Sequence, residues 1–232
     1  MEKTLFSEVK VLSTDGGFEL TVSNIQEMAQ AAKINELPAA DLSRFFFQDD
    51  LIVKNRLQAG VVETPEPIAK YMVQLVCEQW QEQTQKKFTS RDFESLHWFD
   101  PCTGAGVFPV AILKFYLNNV KPNSISQLPR ITISEISPIG LFISLCAIKS
   151  TLVSCGFTLD EYLGSGRLSC LMGDTLDVHS EQRKLMDANI AYDVVIGNPP
   201  YVRATRLDEN YRKKLRRNFP NSFYGAFADR WR

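Results

Sequence analysis

Beyond Gly60, the chain alternates between short apolar runs and longer amphipathic stretches. The apolar runs predict four strands, over residues 96–99, 130–136, 167–172 and 192–196. The amphipathic stretches predict helices over residues 65–83, 107–117 and 138–154, with a short helix near residues 181–187. Thr64 is expected to cap the first helix, with Pro65 at its first position. Strands that alternate with helices in this way are typical of an α/β fold with a parallel sheet.

The first sixty residues have a different pattern. A short strand is predicted over residues 5–12, before an Asp-Gly-Gly turn. Two helices are expected to follow, one that begins with a capping box of Ser23 and Gln26 and one over residues 41–57. We therefore divide the chain into a mainly helical N-terminal segment, residues 1–60, and an α/β domain, residues 61–232.

The composition of the 232 residues, with 44% apolar and 23% charged side chains, is that of an ordinary globular protein. It excludes wholesale disorder and a coiled coil. The longest apolar stretch, residues 141–148, is far shorter than the roughly 20 residues that span a bilayer, so a soluble protein without a membrane partner is expected. Five cysteines without a C-x-x-C pair favour a reducing, cytoplasmic setting over a disulfide framework or a metal site.

Charge is distributed unevenly along the chain. Its 26 basic and 27 acidic side chains nearly cancel, but residues 201–232 carry nine basic side chains against three acidic ones. This asymmetry favours a polyanionic partner for the C-terminal stretch. A solvated basic helix would explain the same composition equally well.

Three of the predicted strands lead into acidic side chains. Asp100 follows the first strand and precedes Gly104 and Gly106, which would let the backbone approach a ligand closely. Glu135 lies at the end of the second strand, where an acid in nucleotide-binding α/β folds accepts ribose hydroxyls. Asp174 follows the third strand and could accept a hydrogen bond from the amino group of an adenine. One such acid is often only a helix cap, but three acids at one crevice favour a ligand site.

The fourth predicted strand leads into the run Asn198, Pro199, Pro200 and Tyr201. Two adjacent prolines remove two backbone donors and fix two φ angles, so this loop is stiff and presents acceptors. The side-chain oxygen of Asn198 and the carbonyl of Pro199 could together hold the two hydrogens of a planar amino group. Tyr201 offers an aromatic face on which an extruded base could stack. The plainer interpretation is a Pro-Pro turn without a ligand.

Six motifs occur along the chain in a specific order. They are Thr64 before Pro65, the run from Asp100 to Phe108, Glu135, Asp174, the run from Asn198 to Arg203, and the run from Phe223 to Phe227. In this order they resemble the motifs of gamma-class N6-adenine DNA methyltransferases. The chain is similar in particular to the TaqI-like and type IIG restriction-modification methylases, over about residues 61–229.

The resemblance implies a Rossmann-like methyltransferase sheet and a site-specific, adenine-specific DNA methyltransferase, EC 2.1.1.72, that moves a methyl group from S-adenosylmethionine to adenine N6. The residues that it implies for binding S-adenosylmethionine are Thr64, Asp100, Cys102, Gly104, Gly106, Phe108, Glu135, Ile136 and Asp174. For catalysis on a flipped adenine it implies Asn198, Pro199, Pro200 and Tyr201. For DNA phosphates, the basic stretch supplies Arg203, Arg206, Lys213, Lys214, Arg216 and Arg217. The implied partners are double-stranded DNA and a restriction endonuclease, either fused or separate, and no metal is implied.

Two other functions stay open beside this one. A methyltransferase for a protein glutamine or an RNA base holds a planar nitrogen with a similar Asn-Pro-Pro-Tyr loop, and a truncated module of this fold could lack catalysis. The motifs at Thr64 and at residues 223–227 favour the DNA enzyme. The sheet of the family has seven strands and this domain supplies four, so an incomplete sheet, an absent target recognition region and little turnover by this chain alone are expected.

Overall fold

The computed structural model describes residues 12–13, 62, 64–177, 191–201 and 207–220. Several of the predicted features lie outside these residues. They are the two N-terminal helices, the short helix near residues 181–187, Arg203, Arg206 and the run from Phe223 to Phe227. The division of the chain at residue 60 stays a prediction.

Five parallel strands form one sheet in the described part of the chain. They are β1 (Leu12–Ser13), β2 (His97–Asp100), β3 (Arg130–Glu135), β4 (Leu168–Met172) and β5 (Val194–Val195). The spatial order is β1-β4-β3-β2-β5. The predicted parallel α/β sheet is therefore confirmed, and each of the four strands predicted after Gly60 overlaps an observed one.

Six α-helices and a 3-10 helix (Ile125–Gln127) lie in the described residues. The α-helices are α1 (Glu66–Thr84), α2 (Ser90–Ser95), α3 (Val107–Asn119), α4 (Pro138–Val153), α5 (Leu159–Gly164) and α6 (Glu209–Asn218). The predictions for α1, α3 and α4 are confirmed to within two residues at each end. The short helices α2 and α5 were not predicted, although each begins with a capping box, of Thr89 with Asp92 and of Thr158 with Glu161.

The predicted cap of α1 by Thr64 is wrong. Pro65 occupies the N-cap position with a non-helical ψ of 138°, and no side chain caps the helix. The amides of Ile68 and Ala69 donate to the Pro65 carbonyl, so the helix begins at Glu66. The reason is a second proline, Pro67, which takes an early helical position where no backbone donor is needed.

The hydrophobic core lies between the sheet and its helices. Strand β2 is buried along its whole length, as expected for a central parallel strand covered on both faces. An aromatic cluster surrounds Phe93 of α2, whose ring stacks on Phe115 and lies 4.9 Å from that of Trp98. Helix α1 packs on α3, and α3 packs on α4. Among the described residues, no helix combines the length and the apolar composition needed to cross a membrane.

At Gly106 an added side chain would meet both backbone strain and a close contact. Its φ is +85°, and a Cβ there would lie 2.7 Å from Oγ and 2.9 Å from Cα of Ser144 in α4. We expect Gly106→Ala to lower the free energy of unfolding by about 2 to 5 kcal/mol, through backbone strain and overpacking together. Urea unfolding measures this loss.

Gly156→Ala is the matched control, because φ is +80° there and no atom lies within 4 Å of the added Cβ. This variant carries the backbone strain alone, so a loss of about 1 to 2 kcal/mol is expected. Equal losses in the two variants would show that a clash with Ser144 is not the reason why position 106 is glycine.

Candidate functional site

The three acidic side chains meet at the carboxyl edge of the sheet. Asp100 ends β2, Glu135 ends β3, and Asp174 lies two residues beyond β4. Because β4, β3 and β2 are neighbours in the sheet, their following loops lie side by side. We call the space bordered by these loops the acidic crevice.

Hydrogen bonds join the three loops of the acidic crevice. The Thr175 hydroxyl after β4 donates to the Pro101 carbonyl after β2, at 2.6 Å, and lies 2.8 Å from the Ser134 hydroxyl in β3. The amide of Gly173 donates to the backbone carbonyl of Glu135 at 2.9 Å. These bonds hold the loops against one another.

The Glu135 carboxylate is oriented by backbone amides on both sides. Its Oε2 accepts from the Gly104 amide at 2.8 Å, and its Oε1 accepts from the Ser137 amide at 2.9 Å. Since a carboxylate oxygen accepts about two hydrogen bonds, this orientation is compatible with a diol ligand. The next side chain, Ile136, is 65% exposed and offers an apolar surface beside the carboxylate.

Asp100 is fully buried beneath the crevice. Its Oδ1 accepts from the Cys102 amide at 3.2 Å, while its Oδ2 has no hydrogen-bond partner among the described residues. Burial, with a smaller contribution from the negative charge of Glu135, raises the pKa of this carboxyl to about 7. A cation or a strong donor in the crevice would favour the ionised form.

The Asn198 loop lies directly beside Asp100. A Cβ on Gly197 would lie 2.9 Å from Asp100 Oδ1, so only glycine fits between the buried carboxyl and Asn198. The Tyr201 hydroxyl donates to Asn198 Oδ1 at 2.8 Å, and Asn198 Nδ2 donates to the Val62 carbonyl at 3.4 Å. Tyr201 is 68% exposed, so its ring is accessible for stacking. No predicted motif included Gly197, although it directly precedes Asn198.

Some predicted cofactor residues also have packing roles. Phe108 is only 3% exposed and belongs to the hydrophobic core. A Cβ at Gly106 would clash with Ser144, whereas Gly104, with φ +53°, presents its amide to Glu135. Thr64 and Cys102 are partly exposed.

Helix α6 divides its basic residues between two faces. Lys214 points inward and forms an ion pair with Asp177 at 2.6 Å, beside the buried Leu215. Three other basic side chains of the helix, Lys213, Arg216 and Arg217, are exposed. Lys213 also pairs with Glu209, at 3.0 Å. A phosphate contact by Lys214 would require breaking this partly buried ion pair, so the candidate DNA surface is argued from the other basic residues of the helix.

Asp174 is also tied to α6. The Tyr211 hydroxyl donates to Asp174 Oδ2 at 2.5 Å, and the Leu176 amide donates to Oδ1 at 3.0 Å. No sequence signal pointed to Tyr211, because 37 residues separate it from its partner. In the described residues, no group of three or more His, Cys, Asp or Glu side chains is placed to hold a metal ion.

One family model matches a part of the chain. A family model described as Eco57I restriction-modification methylase matches residues 171–229, from the end of β4 past the Asn198 loop and α6. This is about a quarter of the chain. Comparison with curated proteins gives no match.

Solved structures share the fold. The cryoEM structure of a DrdV–DNA complex has a TM-score of 0.56 and 19% identity, and the match covers 87% of this chain and 21% of that one. The type IIG restriction endonuclease BpuSI has a TM-score of 0.53 and 18% identity, with 89% and 21% covered. A modification subunit of a putative type I restriction enzyme from Vibrio vulnificus YJ016 has a TM-score of 0.50 and 16% identity, with 88% and 34% covered.

These similarities confirm the predicted Rossmann-like α/β fold, which the chain shares with restriction-modification proteins. The chain spans about a fifth of the length of the DrdV and BpuSI chains.

Two buried groups on β2 have opposite effects on the pH dependence of stability. Asp100 has its pKa raised to about 7, so its folded form binds more protons than the unfolded chain, and the free energy of unfolding falls from about pH 4 to 7. Burial lowers the pKa of His97 to about 4, so its folded form binds fewer protons, and the free energy of unfolding rises from about pH 4 to 6.5. The two slopes oppose each other in the wild-type protein.

The pH dependence of stability that is due to each group should therefore be measurable when the other group is replaced. We expect Asp100→Asn to give a stability that rises with pH between about 4 and 6.5, and His97→Gln to give one that falls between about 4 and 7. Urea unfolding over this pH range measures both slopes. The double variant is the control and should have neither slope, and identical profiles for the two single variants would contradict the assignment.

Proposed function

We propose that this chain carries the catalytic part of a DNA methyltransferase of a restriction-modification system, which transfers a methyl group from S-adenosylmethionine to adenine N6. One observation carries the proposal: the stiff Asn198 loop lies against the acidic crevice, with only Gly197 between Asn198 and the buried carboxyl of Asp100. An acceptor for a planar amino group thus adjoins a site suited to a cationic cofactor. The family match over residues 171–229, which includes the Asn198 loop, supports the same function.

The crevice residues fit S-adenosylmethionine by their chemistry. The unpartnered buried Oδ2 of Asp100 matches the cationic amino group of the cofactor, since a buried carboxyl is costly without such a partner. Glu135 would accept the ribose hydroxyls, and Asp174 would accept the adenine amino group. The exposed Ile136 would pack on the adenine ring. When bound, the cofactor supplies an electrophilic methyl carbon.

The Asn198 loop would bind and orient the target base. Asn198 Oδ1 and the Pro199 carbonyl would accept the two amino hydrogens of adenine, which directs the nitrogen lone pair towards the methyl group. Two prolines hold these acceptors in place before the base arrives, so little reorganisation is needed. Stacking on the exposed Tyr201 would contribute about 1 to 3 kcal/mol, against a cost of a few kcal/mol for flipping the base.

The outward face of α6 would contact DNA phosphates. Lys213, Arg216 and Arg217 are exposed on a helix that begins eight residues after Tyr201. Arg216 and Arg217 also lie in the last turn, where cations are favoured by the helix dipole. We propose double-stranded DNA with a flipped adenine as the substrate, and a restriction endonuclease, fused or separate, as the partner in the same system.

Asn198→Ala tests the assigned chemistry. We expect the variant to bind S-adenosylmethionine as the wild type does but to lose methyl transfer by roughly 100-fold or more, because one of two preorganised acceptors is absent. Calorimetry measures cofactor binding, and mass spectrometry of digested DNA measures N6-methyladenine formed by the full-length protein. Asn123→Ala, at an exposed position outside the site, is the matched control.

The substrate class is tested in the same assay by offering DNA, RNA or a glutamine-containing protein. Methylation of RNA or of glutamine in place of DNA would overturn the adenine assignment. Undiminished turnover of Asn198→Ala on DNA would overturn the role of the loop.

Charge reversal at Arg216 and Arg217 tests the DNA surface. We expect the double variant to Glu to bind DNA roughly tenfold or more weakly, and the slope of log K against log salt to shrink by about 2, because two phosphate contacts are lost. Titration of labelled duplex at several salt concentrations measures both quantities.

Reversal of Lys86 and Lys87, two adjacent exposed residues beyond the end of α1, changes the net charge equally and is the matched control. An equal effect of the two double variants would assign DNA affinity to net charge and not to α6.

A further inference from the structure

Asp174 is held by a side chain from the helix that carries the candidate DNA surface. Its Oδ2 accepts from the Tyr211 hydroxyl at 2.5 Å, and its Oδ1 accepts from the Leu176 amide at 3.0 Å. Donors to both oxygens restrain the plane of the carboxylate from both sides. The hydrogen bond from Tyr211 comes from outside the β4 loop, whereas the bond from the Leu176 amide comes from within it.

The backbone around Asp174 is held independently of Tyr211. Thr175 donates to the Pro101 carbonyl, Gly173 donates to the Glu135 carbonyl, and the Asp177 amide donates to the Asp174 carbonyl at 2.8 Å. With the backbone fixed in this way, the main freedom left to Asp174 is rotation of its own side chain. The Tyr211 hydroxyl restrains that rotation.

Helix α6 docks on the β4 loop at two points on one face. Tyr211 contacts Asp174, and Lys214, one turn later, contacts Asp177 at 2.6 Å. Leu215 is buried on the same face, and Asp208 caps the start of the helix by accepting from the Asn210 and Tyr211 amides. The exposed basic residues lie on the opposite face of this docked helix.

We propose that Tyr211 is a positioning residue for cofactor selectivity: it holds the Asp174 carboxylate in the orientation that accepts the amino group of the cofactor's adenine. The selectivity for adenine then depends on the docking of α6, the same helix that presents Lys213, Arg216 and Arg217 to DNA. This inference rests on the proposed function, which assigns the adenine amino group to Asp174.

The test compares two cofactor products that differ at one position of the purine. S-adenosylhomocysteine has the amino group, whereas S-inosylhomocysteine has an oxo group that a carboxylate repels. We expect the wild-type protein to bind the adenosyl compound roughly tenfold to hundredfold more tightly, as for a hydrogen bond to a charged group. Tyr211→Phe keeps the ring and removes the hydroxyl, and we expect it to reduce this preference by about fivefold. Calorimetry of the full-length protein measures both affinities.

Lys214→Met is the matched control, because it removes the other contact between α6 and the β4 loop without touching Asp174. It should leave the adenosyl-to-inosyl preference unchanged. A preference that falls equally in Tyr211→Phe and Lys214→Met would mean that helix docking in general, and not the hydroxyl, matters. An unchanged preference in Tyr211→Phe, or equal weakening for both compounds, would also overturn the proposal.

A double variant shows whether Tyr211 acts through Asp174. In an Asp174→Ala background the acceptor is absent, so adding Tyr211→Phe should change the preference no further. A further change there would overturn the positioning role. If the wild-type protein binds neither compound, the proposed function fails. If it binds the adenosyl compound selectively and Tyr211→Phe does the same, only the inference fails.

Discussion

A carboxyl group without access to water lies beneath the acidic crevice, next to the loops that follow β2 and β5. Asp100 is fully buried, has one oxygen without a partner among the described residues, and has its pKa raised to about 7. A side chain on Gly197 would meet this carboxyl, and the Asn198 loop follows Gly197 directly. Burial of the carboxyl carries a cost in stability that a bound cation would offset.

The loops of the acidic crevice are also joined to α6. Thr175 links the β4 loop to the β2 loop, and Tyr211 and Lys214 attach the helix to the same β4 loop. A helix with one face against the β4 loop and a basic face towards solvent can contact two ligands at once. Under the proposed function, cofactor and DNA would therefore be recognised by opposite faces of one element.

Individual residues differ in how well their positions could be predicted from the sequence. The run from Asp100 to Gly106, Glu135 and Asp174 was assigned to strand ends, and the structure brings them to one edge, because parallel strands share their carboxyl ends. Phe108 and Gly106 also have packing roles, against the core and against Ser144. Lys214 pairs with an acid 37 residues away. Motif spacing carries no information about such distant contacts.

The sequence by itself determined the α/β class and the chemistry of the strand ends, because hydrophobic periodicity and proline and glycine positions act locally along the chain. It also placed a stiff Asn-Pro-Pro-Tyr loop after the last strand. Only the tertiary structure decided which basic residues of α6 face solvent, why position 197 is glycine, and that Tyr211 holds Asp174. These features depend on contacts between segments far apart in the chain, whose geometry is set by the packing of helices on the sheet.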